Sequence, residues 1–105
     1  MTALAILAAL LSGLTGVVTR GPTTPVCHAD KPCSAPFASA TLVFSRAGVT
    51  KRVTTNAEGA YRIGLVPGRY GLRVQGARFG WKPLSATVPA GRYGRMNVFV
   101  DTGIR

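Results

Sequence analysis

Two patterns of hydrophobicity divide the chain. Residues 3–11 are apolar without interruption. From Ala40 onward, apolar and polar residues alternate with a period of two, broken at regular intervals by turn-forming residues. A period of two sends successive side chains to opposite faces of a strand, so the alternation predicts half-buried strands. Seven are expected, over residues 14–19, 40–45, 51–55, 60–65, 70–74, 84–88 and 94–100. Tyr61, Ile63 and Leu65 share one face of the fourth, and Tyr70, Leu72 and Val74 one face of the fifth. Met96, Val98 and Val100 alternate with Asn97 and Phe99 in the last.

The turns between these strands have a mechanical logic. In Asn56-Ala57-Glu58-Gly59 the Asn side chain can bond its own backbone, and the Gly can take the left-handed conformation that closes the turn. In Pro67-Gly68 the ring fixes φ, and glycine supplies a positive φ. Short strands separated by such turns, with no amphipathic helical stripe after the leader, predict an all-β fold, a seven-stranded β-sandwich preceded by an apolar N-terminal segment.

Length and composition narrow this further. One hundred and five residues make one small domain. A hydrophobic content of 47% beside only 15% charged residues argues against disorder. The net charge is +10, and no charged residue precedes Arg20. The apolar run is shorter than the ~20 residues of a membrane span and has the length of a signal-peptide core. Small residues follow it at Ser12 and Gly13. Three readings stand: an export signal cut within 12–16, a retained anchor, or a buried first helix. Export divides the chain into a leader, 1–12, and a domain, 13–105, secreted or associated with the cell envelope.

Cys27 and Cys33 lie in a proline-rich loop with no strand pattern. As a disulfide they would close a short ring, worth about 2 kcal/mol through chain entropy. Free thiols are the second reading. The third is a metal site with His28 and Asp30, although the five-residue gap is wider than the usual knuckle and no second ligand pair follows.

Catalytic chemistry is sparse. His28 is the single histidine, and the carboxylates are Asp30, Glu58 and Asp101, none of them paired by a motif. No nucleophile elbow, phosphate loop or zincin motif occurs. The expectation is a non-enzymatic protein without cofactor or metal. Alternation turns Arg52, Arg62 and Arg73 away from the core, with Arg69 and Arg92 near turns. Two readings stand for them: a plain solvated face, or a candidate anion-binding face for phosphate-rich or uronic polymers, anionic lipid headgroups or acidic proteins. Nucleic acid fits an exported protein poorly. Trp81, with Phe79 and Lys82, precedes the sixth strand, where it could cover the end of the sandwich or stack on a sugar or a membrane interface.

The two turn segments also carry a resemblance. Thr55-Asn56-Ala57-Glu58-Gly59-Ala60-Tyr61 and Leu65-Val66-Pro67-Gly68-Arg69-Tyr70 resemble the signature of carboxypeptidase regulatory-like domains, and Gly16-Val17-Val18 resembles their opening strand. The Cys27–Cys33 loop and the ending from Asp101 to Arg105 are similar to those of small exported actinobacterial proteins carrying this domain alone. The resemblance covers roughly residues 13–105 and implies a prealbumin-like (transthyretin-like) Greek-key sandwich without peptidase activity. With catalytic chemistry sparse, the leading functional expectation is a structural or interaction module of the cell envelope or extracellular space, with a protein partner there. The alternative is a binder of anionic envelope polymers or lipid headgroups through the Arg-rich face.

Overall fold

Strand β1 (Gly13–Gly21) is the spine of the fold, because it is paired along both edges for most of its length. The computed structural model describes residues 11–26 and 33–104. The first half of β1 runs antiparallel to β5 (Ala60–Gly64) on one edge and parallel to β9 (Tyr93–Arg95) on the other. Its second half pairs antiparallel with β2 (Ala35–Pro36) and parallel with β10 (Val98–Asp101). Beyond β10 lies β7 (Trp81–Lys82). The second sheet has the order β4 (Val49–Thr54), β3 (Thr41–Arg46), β6 (Gly68–Val74), β8 (Ser85–Val88), with every neighbour antiparallel.

The fold is all-β, and the two sheets share one core. Leu14, Val18, Tyr61 and Val98 from the first sheet join Leu42, Phe44, Leu72 and Val74 from the second in a single buried cluster. The rings of Phe44 and Tyr61 meet across it at 6.5 Å between centroids. These are the positions that alternation assigns to the inner faces, and burying each large aliphatic side chain contributes roughly 1.5–3 kcal/mol.

Each of the seven expected strands has a counterpart, yet the described residues form ten strand segments. The seventh expected strand divides into β9 and β10 at Met96–Asn97. Two-residue pairings add β2 and β7, which are too short to show any alternation of their own. The division has a local cause. Beside Gly16 the backbone of Met96 approaches so closely that a Cβ there would lie 2.0 Å from the Met96 carbonyl oxygen. The Met96 N–H donates to the Thr15 carbonyl (2.9 Å), and the next β1 donor, the Val17 N–H, goes to Asn97 Oδ1 (3.0 Å). An Asn side chain thus stands in for a missing ladder carbonyl, and the parallel register of β9 resumes unchanged in β10.

Both sequence-predicted turns have the expected chemistry. Asn56 Oδ1 accepts from the Glu58 N–H (3.0 Å) and the Ala60 N–H (2.9 Å), and Gly59 has φ +77°. Gly68 has φ +144°. The Pro67–Gly68 turn does not close a hairpin, however: β5 belongs to one sheet and β6 to the other. Tyr61 and Tyr70 therefore enter the core from different sheets and not from adjacent strands.

Ser12 is fully buried and bonded into the domain. Its Oγ accepts from the Gly91 N–H (2.9 Å) and its carbonyl from the Leu65 N–H (3.0 Å). A cut after Ser12 would therefore remove these two bonds, and a cut after Gly16 would also remove most of the stretch of β1 that pairs with β5 and β9. The apolar run before Leu11 lies outside the described residues, as does the loop 27–32.

Candidate functional site

The outer face of the second sheet follows from register. Leu42 and Phe44 point into the core, so Val43 points out, and the residues directly opposite it are Arg52 on β4 and Arg73 on β6. Val43 is nevertheless only 4% exposed. Long Arg stems cover apolar surface in this way while keeping the guanidinium in water. Arg69, two positions before Gly71 on β6, lies on the same face and reaches Ser85 Oγ at 3.5 Å. Thr41, Ser45, Thr50 and Thr87 fill the same face by alternation. None of the chain's three carboxylates belongs to any of these four strands.

The five arginines expected to form one face do not. Arg52, Arg69 and Arg73 come together on the second sheet. Arg62 lies on the first sheet, opposite Thr15, with its guanidinium 4.0 Å from the centroid of the Tyr93 ring. Arg92 lies in the turn between β8 and β9. Alternation correctly turned these side chains outward, but the Pro67–Gly68 crossing put Arg62 and Arg73 on different sheets.

A second surface was only partly visible in the sequence. At one end of the sandwich, a cleft of about 230 Å³ is walled by Arg20, Phe37, Arg78, Phe79 and Asp101. A neighbouring groove of about 290 Å³ is walled by Phe79, Trp81, Lys82, Phe99 and Asp101. Phe79 and Asp101 belong to both. The Arg20 guanidinium sits 5.5 Å from the Phe37 ring centroid, and Lys82 Nζ sits 5.7 Å from that of Phe99. The Trp81 indole N–H donates to the Leu72 carbonyl (3.0 Å), which fastens this end to the second sheet. Phe79, Trp81 and Lys82 stand together in the sequence. Arg20, Phe37 and Asp101 arrive from three distant segments, and no local pattern could have joined them.

Titratable chemistry is limited. Burial pushes the Tyr61 hydroxyl up to about 12, and it donates to the Met96 carbonyl at 2.5 Å. It is therefore held as a neutral donor with a structural task. Among the described residues no three His, Cys, Asp or Glu side chains gather in a way that could hold a metal ion. Cys27, His28 and Asp30 lie outside the described residues, as does the geometry of any Cys27–Cys33 bond. Among the described residues no helix is long and apolar enough to cross a membrane. No family model, curated protein or solved structure matches the chain.

Proposed function

We propose that the chain is a non-enzymatic binding module of the cell envelope or extracellular space. Its working surface is the outer face of the second sheet, and its ligand is a polyanionic surface, whether an acidic polymer or a layer of anionic lipid headgroups. The carrying observation is the row Arg52–Val43–Arg73 with Arg69 beside it, hydroxyl side chains between them, and no carboxylate in the sheet. A guanidinium offers a planar fork of donors to carboxylate or phosphate, and strands hold such forks at fixed spacing. The Asn56–Gly59 and Pro67–Gly68 turns support assignment to the carboxypeptidase regulatory-like domains. Counting β9 and β10 as one strand, and the two-residue segments as edge pairings, leaves seven strands, a number that supports reading the fold as a Greek-key sandwich. A Cys27–Cys33 disulfide in the long loop fits an exported domain of this size.

The test is retention on a heparin column and on vesicles containing phosphatidylglycerol, at low and physiological salt. Retention should weaken as salt rises. A triple variant R52Q/R69Q/R73Q should elute at clearly lower salt than the charge-matched R62Q/R92Q/R95Q. Equal elution of the two would show that net charge, and not this face, drives binding. Comparing the column with the vesicles separates a polymer from a lipid ligand.

A further inference from the structure

We propose that the two clefts that share Phe79 bind an acidic sugar polymer. One uronate ring stacks on Phe79, and its carboxylate is held by Arg20 and Arg78. The site is separate from the arginine face of the second sheet.

The first argument is that Phe79 is exposed yet held. It is 58% exposed. One side of its ring lies against the backbone of Gly103, where a Cβ would come 2.4 Å from ring Cδ2. Gly103 has φ +79°, and its N–H donates to Asp101 Oδ1 at 2.8 Å. The preceding residue is pinned twice. The Thr102 N–H donates to the Gly21 carbonyl (3.0 Å), and Thr102 Oγ1 donates to the Pro22 carbonyl (2.7 Å). A flat apolar face is thus presented to solvent on a fixed support. Scattered exposed apolar residues need no explanation, but this one is the shared wall of two concavities.

The second argument is shape and charge. Two clefts, of about 230 and 290 Å³, that share Phe79 and Asp101 in their walls suit consecutive rings of a chain better than one extended apolar ligand. Apolar walls with a few convergent polar groups are the usual make-up of a small-molecule site. Among the described residues of these walls, Arg20, Arg78 and Lys82 outnumber Asp101, so the site favours an acid over a neutral or cationic ligand. Guanidinium pairs with carboxylate through two parallel hydrogen bonds.

The experiment uses the whole purified chain and tetragalacturonate, with the methyl-esterified tetramer as the neutral match. Trp81 is the single tryptophan and lines the second groove, so its emission reports binding there. The expected result is a saturable emission change with the acid, confirmed by calorimetry, and binding about tenfold weaker for the ester. F79A should weaken binding about tenfold, the magnitude of one aromatic stacking contact. F79L keeps apolar bulk but lacks the flat face, and it should weaken binding similarly while keeping the wild-type melting temperature. R78Q should narrow the preference for acid over ester, and R52Q/R73Q should leave binding unchanged. The proposal is overturned by no saturable response at millimolar tetramer, by equal binding of acid and ester, or by unchanged binding in F79L. A loss in R52Q/R73Q without one in F79L also overturns it and returns the ligand to the sheet face.

Discussion

Replacing Tyr61 with Phe isolates the contact that closes the interruption between β9 and β10. The hydroxyl starts on β5, crosses over β1 at Gly16, and donates to the Met96 carbonyl on the far side. Phenylalanine keeps the ring against Phe44 and removes only the donor. An acceptor left without its partner in a part-buried setting costs about 1–3 kcal/mol. That is a large fraction of the ~5–15 kcal/mol stability of a typical domain, so urea melts at pH 7 will resolve it.

The pH dependence supplies a second, independent signature. Tyr61 holds its proton up to about pH 12 in the folded state, against the ordinary tyrosine value of 10. Below pH 10 both states keep the proton, and its contribution is intact. Between 10 and 12 the unfolded chain releases the proton first, so stability falls as pH rises through this window, by roughly 3 kcal/mol in all. The variant has no such group. Its deficit should therefore shrink from pH 9 to pH 11.5 and approach zero or reverse, while lysine titrations common to both chains cancel in the difference. A deficit that is absent at pH 7, or constant across the series, would refute the reasoning.

Three further outcomes follow from the backbone. Gly16→Ala puts a Cβ 2.0 Å from the Met96 carbonyl oxygen, and neither strand can retreat without losing its pairing. It should cost more than about 2 kcal/mol in thermal or urea melts, in the range of overpacking in a tight core. Gly59→Ala and Gly76→Ala form a matched pair, with φ +77° and +78°. A Cβ at Gly59 meets the Val18 carbonyl oxygen at 2.5 Å, whereas at Gly76 it meets open space. Gly76→Ala should show only the left-handed backbone penalty of roughly 1–2 kcal/mol, and Gly59→Ala measurably more; equal losses would mean that contact adds nothing. A chain beginning at Leu11 should give the dispersed amide spectrum of the folded domain. One beginning at Val17 should not, because it lacks the strand that β5 and β9 flank.

The primary structure already contained the strands and their faces. Side-chain alternation is a property of the extended backbone, so Leu42, Phe44, Tyr61, Leu72, Val98 and Val100 could be assigned to the inside without knowing what they touch. The turn chemistry of Asn56–Gly59 and Pro67–Gly68 was equally local, since it depends on one side chain reaching its own backbone or on one residue's φ. Alternation says nothing about which strand lies beside which. The crossing after Pro67 decided that, and it separated Arg62 from Arg52 and Arg73. No local pattern explains why Gly16 must lack a side chain; only the approach of Met96, eighty positions away, makes its missing Cβ a requirement. Of the end clefts the sequence offered only the neighbours Phe79, Trp81 and Lys82; the rest belongs to the tertiary structure. Arg20, Phe37 and Asp101 meet Arg78 and Phe79 because two sheets end there together, and an end of a sandwich has no period along the chain.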